Sequence, residues 1–192
     1  MRVLLIGAPG SGKGTQAAVL AEHLSVTHIS SGELLRDHML RGTTEGRQAA
    51  AYVNGGDLVP DEIVLDILRD PVRQAAESGG YILDGFPRTV RQAMSVQLDS
   101  EQSLFAVQAA VYLSVADEEL VRRLLTRARG ADDTRTVIEH RLRVFEEHTT
   151  PMLAFFGDRG ELVEVNGARP VPEVTWSIEV QLQRIQRRKA TV

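Results

Sequence analysis

Short apolar runs along the chain alternate with longer segments in which apolar residues return every three or four positions. Residues 3–6, 27–30, 81–84, 109–113 and 162–165 read as strands. Several lack the polar alternation of a half-exposed strand, which fits a sheet covered by helices on both faces. Segments 14–24, 63–76, 118–128, 137–156 and 174–185 carry helical periodicity. In the last, Val174, Ile178, Leu182 and Ile185 form one stripe, with Pro172 near its start. Pro151 interrupts the fourth, so a kink or a new helix start is expected there. Trp176 is expected to pack in the core or at an interface rather than to stack on a base.

This alternation predicts parallel strands joined by crossover helices, an α/β fold. Two segments fit it poorly. Residues 30–59 carry helix signals but no central strand, and residues 127–136 are polar and charged between two helical stretches. Excursions from a rigid sheet are where substrate-gripping elements tend to lie.

At 192 residues the chain suits one compact domain with small insertions. Its 22 basic against 26 acidic side chains give a formal charge of -4, so nothing draws it generally to nucleic acid or to an anionic bilayer. Any phosphate must be caught locally. Cysteine is absent, which removes disulfides, thiolate nucleophiles and thiolate zinc sites together. His23, His28, His38, His140 and His148 show no metal-ligand spacing and read as solvated or edge positions. The first apolar run is too short for a signal peptide, and no run approaches the ~20 residues of a spanning helix. A soluble, cytoplasmic protein is expected.

Gly7-Ala8-Pro9-Gly10-Ser11-Gly12-Lys13 matches the Gly-x-x-x-x-Gly-Lys phosphate loop and stands between a strand and a helix, where the chemistry needs it. Glycines let backbone N–H groups converge on phosphate oxygens, and the helix N-terminus adds its partial positive charge. Lys13 then bridges the β- and γ-phosphates. The strict motif places Ser or Thr after the lysine; here that place is Gly14, and the hydroxyl follows at Thr15. Binding of a nucleoside triphosphate is expected, although a loop alone does not name a reaction.

The variant Gly-x-Pro-Gly-x-Gly-Lys-Gly-Thr resembles the loop of nucleoside monophosphate kinases. Ile29-Ser30-Ser31-Gly32-Glu33-Leu34-Leu35-Arg36 resembles the acceptor-site motif of adenylate kinases, and Gly80-Tyr81-Ile82-Leu83-Asp84-Gly85-Phe86-Pro87-Arg88 with Gln92 resembles their second signature. With Gly56-Asp57-Leu58-Val59-Pro60 and the arginines between 127 and 141, the similarity runs through nearly the whole chain in order. It implies transfer of the terminal phosphoryl group of Mg·ATP to AMP.

The resemblance also implies roles. Gly10, Ser11, Gly12, Lys13, Gly14, Thr15, Arg123, Arg127 and Arg169 would meet ATP. Ser31, Arg36, Asp57, Leu58, Val59, Gly85, Phe86, Pro87, Arg88 and Gln92 would meet AMP, joined by Arg129 and Arg141. Asp84, at the C-terminal end of a strand, would hold Mg²⁺ through water. Lys13, Arg88, Arg129 and Arg141 would stabilise the transferring group.

Several of these residues have plainer readings. Ser30 and Glu33 form a capping box that starts a helix. Taken singly, each arginine is an ordinary solvated side chain, and Asp84 a helix cap. The Gln92 amide offers a donor and an acceptor, which suits the N1/N6 edge of adenine. Ser31 stands where adenylate kinases usually carry threonine, keeping the hydroxyl and losing a methyl. Sequence leaves the isomer of the bond before Pro87 open.

Between Arg129 and the pair Asp132-Asp133 stand both Gly130 and Ala131, one residue more than the family pattern, and Arg135 stands where related short-lid enzymes often carry an acid. Either Arg129 or Arg135 is then the lid's phosphate ligand. The segment is too short for a zinc-bearing insertion. The expected whole is a single P-loop three-layer sandwich with a five-stranded parallel sheet in the order 2-3-1-4-5. Its core is 1–29, 60–126 and 136–192, with a monophosphate-binding excursion at 30–59 and a short lid at 127–135. A monomer is expected. The alternatives are a kinase for UMP, CMP or GMP, and a nucleotide-binding switch without transfer activity.

Overall fold

In the computed structural model, which describes residues 1–97, 105–127 and 134–189, five strands pair in parallel in the order β2-β3-β1-β4-β5. They are β1 (Arg2–Ile6), β2 (Thr27–Ser30), β3 (Tyr81–Asp84), β4 (Ala109–Ser114) and β5 (Leu162–Asn166). Leu4 lies opposite Leu83 on one side and Ala110 on the other, and Val111 lies opposite Val163. Period-two geometry sends alternate side chains of β1 to opposite faces. Leu4 and Ile6 join one core with Val64, Leu68, Phe86 and Phe156, while Val3 and Leu5 join the other with Leu20, Ile178 and Leu182. A fully buried leucine contributes about 1.5–3 kcal/mol, and truncating Leu4 to alanine costs about 2–5 kcal/mol because a cavity is added.

The helices are α1 (Lys13–Leu24), α2 (Ser31–Arg41), α3 (Thr44–Gly55), α4 (Asp61–Glu77), α5 (Val90–Gln97), α6 (Asp117–Arg127), α7 (Arg135–Val144), α8 (Pro151–Asp158) and α9 (Val171–Lys189). The excursion after β2 is the helical pair α2–α3, packed together and onto α4. Ser30 begins α2 with its hydroxyl accepting from Glu33 N at 3.4 Å, and Thr43 begins α3 with its hydroxyl accepting from Gly46 N at 3.1 Å. Both are N-caps that satisfy otherwise orphaned donors.

The long periodic segment divides where Pro151 falls. After α7 comes one π-helical turn, Phe145–Thr149, with Thr150 N donating five residues back to Phe145 O at 3.0 Å, and α8 starts at Pro151. Proline lacks an N–H, so the first helical position suits it. The apolar stripe of α9 is buried as read. Trp176 is not: it is 67% exposed, which corrects the core reading. It stands two residues from Val174, about 200° around the helix and off the stripe.

Candidate active site

The C-terminal ends of β1 and β3 open into a cleft of about 640 Å³, the edge where parallel α/β sheets take ligands. One wall is the turn from β1 to α1. Gly10 there has φ +85°, and a β-carbon on it would lie 2.9 Å from Leu124 Cγ of α6, so only glycine fits the turn. Gly12 starts α1 without any side-chain cap. The first-turn N–H groups of α1 therefore point into the cleft, short of a side-chain acceptor, which is the arrangement that binds phosphate.

Lys13 Nζ donates to the carbonyls of Gly7 at 2.8 Å and Ala8 at 3.0 Å. Burial drops its pKa to about 8; Asp84 opposes the drop, and Arg88, Arg141 and Arg127 add to it. Arg88 is likewise held below the ordinary arginine value by burial, with Asp84 opposing and Arg36 reinforcing. Cations gathered this closely repel one another, and a polyanion between them removes the repulsion. Asp84 is paired in register with Leu5 and Ser30, so the strands set its carboxylate between the phosphate loop and the start of α2.

A smaller inner pocket opens from the cleft, and the two share Gly32, Arg36, Leu58, Gly85, Arg88 and Arg141 among their walls. Leu35, Val53, Val59, Val64 and Phe86 give the inner pocket an apolar wall, facing Arg36, Asp57, Arg88, Gln92 and Arg141 in the same lining. Ser31 Oγ is buried there without a hydrogen-bond partner. Gly85 has φ +86°, and a β-carbon would fall 2.5 Å from that hydroxyl. The Phe86–Pro87 peptide bond is cis. Gln92, 4% exposed, also lines this pocket.

On the other side of the loop, Arg123 donates to Glu119 at 2.7 Å and to the carbonyl of Gly167 at 3.1 Å. The guanidinium is thereby stretched along the β5–α9 turn. The hydrogen bonds from Arg122 and Arg123 hold the Glu119 carboxyl down at about 2. Arg123, Arg127 and Arg169 line the cleft.

Every residue read from sequence as touching ATP or AMP lines the cleft or its inner pocket, except Arg129, which lies outside the described residues together with Asp132 and Asp133. Most of the proposed lid therefore lies outside them too. Arg135, the rival ligand, begins α7 with its guanidinium 3.4 Å from Glu139, and it is not among the cleft's lining residues. Asp57 has its carboxylate 2.7 Å from His140 Nε2, which joins the α3–α4 connection to α7.

Sequence reading found Leu58, Val59 and Phe86 of the inner pocket but missed Leu35, Val53 and Val64, and also Phe145 and Thr149 of the π-helical turn, which line the main cleft. None carries a chemical signature. Their membership depends on packing between elements far apart in sequence.

Among the described residues no group of three or more His, Asp or Glu side chains gathers around one point. A carboxylate such as that of Asp84, beside a phosphate cradle, suits a magnesium ion that arrives on nucleotide phosphates and keeps most of its waters. No helix among the described residues is long and apolar enough to cross a membrane.

Residues 5–161 match the family model described as adenylate kinase. A protein of Nostoc sp. (strain PCC 7120) called adenylate kinase 1 is 41% identical over 181 residues, covering 94% of this chain and 98% of that one. The adenylate kinase of Thermobifida fusca is 43% identical over 180 residues, with 91% and 94% covered. That of Kocuria rhizophila is 41% identical over 186 residues, with 95% and 99% covered.

Proposed function

The chain belongs to the adenylate kinase family, and from that premise we propose how its residues move the terminal phosphoryl group of Mg·ATP onto AMP to give two ADP. The observation that carries the reading is the shared wall: one cleft holds both the phosphate loop and Arg36, Arg88 and Arg141, and those arginines also line the inner pocket that opens from it. In this reading two nucleotides lie end to end there. ATP phosphates lie on the loop and the N-terminus of α1, AMP sits in the inner pocket, and the cations stand where the phosphates meet.

An AMP phosphate oxygen attacks the γ-phosphorus, and the bond from that phosphorus to the β–γ bridging oxygen breaks. AMP is already ionised, so no protein base is needed. Catalysis consists of positioning and of stabilising the charge spread over the transferring group. Lys13 exchanges its loop carbonyls for β- and γ-oxygens, and Arg88, Arg141 and Arg129 surround the moving phosphoryl. Asp84 would hold, through water, a magnesium ion carried on the ATP phosphates, and that ion would offset their negative charge. Arg123, Arg127 and Arg169 keep ATP in place.

The Ser31 hydroxyl, Gln92 and the apolar walls take adenine. We assign 30–59 as the AMP-binding segment and 127–135 as a lid whose closure keeps water from the γ-phosphate. A single-domain cytoplasmic monomer serving adenine nucleotide balance completes the reading, with no call on nucleic acid or membrane from a chain of charge -4.

A panel of AMP, GMP, CMP and UMP offered with Mg·ATP tests it. ADP should form rapidly with AMP alone. ATP breakdown without an acceptor would instead indicate an ATPase or switch.

A further inference from the structure

Gln92 is the polar reader of the acceptor base in the reading above, and an amide reads a base in one sense only if it is kept from turning over. Its environment does this on both sides. Gln92 Oε1 accepts from the Arg88 backbone N–H at 2.7 Å, and Gln92 Nε2 donates to Asp61 Oδ1 at 2.6 Å. A backbone N–H can only donate, and an ionised carboxylate can only accept. The reversed amide would set donor against donor at Arg88 and acceptor against acceptor at Asp61.

Asp61 is the first residue of α4, after Pro60, whereas Gln92 is on α5. The second Asp61 oxygen accepts from the exposed Arg91 at 2.8 Å. We propose that Asp61 is a positioning residue that fixes the Gln92 amide in the sense that selects adenine as the acceptor base.

The chemistry gives this a direction. Held this way, the oxygen's second lone pair can accept from the adenine N6 amino group, and the nitrogen's second hydrogen can donate to N1. Hypoxanthine presents the opposite pair on that edge, an O6 acceptor and an N1–H donor. AMP is thereby favoured over IMP by the orientation of one amide, and Asp61 supplies half of what holds it. The inference rests on Gln92 reading the base, so the test includes that residue.

Initial rates with AMP and with IMP, at saturating Mg·ATP, are measured for Asp61→Ala, Asp61→Asn, Arg91→Ala and Gln92→Ala. Asp61→Ala should raise KM for AMP about tenfold and lower the AMP:IMP ratio of kcat/KM by a similar factor, with KM for ATP unchanged. Asp61→Asn, which keeps an acceptor oxygen, should restore most of the selectivity, and Arg91→Ala should match the parent. In a Gln92→Ala background Asp61→Ala should add little, because the two side chains act as one unit. Parent-like selectivity in Asp61→Ala, or an undiminished loss in the Gln92→Ala background, overturns the proposal while leaving the base-reading role of Gln92 intact. Unchanged KM for AMP in Gln92→Ala overturns that role and the proposal together.

Discussion

Lys13 Nζ donates to the carbonyl of Gly7 at 2.8 Å, so the phosphate loop holds its own ammonium group in the cleft. The side chain is pre-placed, and phosphate needs only to displace two carbonyls. Replacing it by methionine keeps much of the stem and removes the charge. Lys13→Met should lose at least about a thousandfold in kcat, about 4 kcal/mol of transition-state stabilisation. Its melting temperature should hold or rise, because a desolvated cation among arginines is removed. A variant that melts normally and retains full activity would end the proposed role of Lys13.

The same environment predicts a pH dependence. Lys13 binds phosphate as the cation, and burial has brought its pKa down from 10.5 to about 8. The free protein therefore loses the ammonium as pH rises through about 8, and kcat/KM for ATP should fall there. In the ternary complex the phosphates favour the charged form, so the corresponding limb of kcat should lie at higher pH. For stability the sign is opposite: the folded pKa lies below the unfolded one, so burial of the cation costs stability below about 8. That cost fades as pH climbs towards 10.5. Coincident limbs in kcat and kcat/KM would argue against this assignment.

Gly85 carries a sharper steric prediction. Alanine there would adopt φ +86° and place its β-carbon 2.5 Å from the buried Ser31 hydroxyl. Gly85→Ala should destabilise the fold by about 1–3 kcal/mol and raise KM for AMP much more than KM for ATP. Thermal melting and two-substrate kinetics check both halves.

Arg123 stands on the ATP side, tied to Glu119 and to the Gly167 carbonyl. Arg123→Ala should raise KM for ATP several-fold, roughly 1 kcal/mol of binding, with kcat and KM for AMP little changed. Equal effects on the two nucleotides would place the side chain elsewhere in the reaction.

Much of the architecture was legible because parallel strands buried on both faces leave continuous apolar runs. The strand runs needed extension by only a residue or so, as in Arg2, Ser114 and Asn166. Helix α5 was missed, since eight residues give too few turns to establish a period. For Trp176, read as a core or interface residue, the core half was wrong although its place off the α9 stripe was visible in the sequence. Site residues with a chemical signature, the loop glycines, Lys13 and the arginines, were found from their motifs. Asp61 escaped, because its bond to Gln92 spans 31 positions and depends on how α4 and α5 are packed. Leu35, Val53 and Val64 of the inner pocket escaped for the same reason, whereas Leu58, Val59 and Phe86 were found from their motifs.

The proposed reaction requires that one cleft hold two nucleotides with their phosphates meeting among the cations. Calorimetric titration with a bisubstrate compound, two adenosines joined through five phosphates, tests it most directly in the presence of magnesium. One molecule should bind per chain, after which neither ATP nor AMP gives any further heat of binding. A saturated protein that still took up either nucleotide would contradict it.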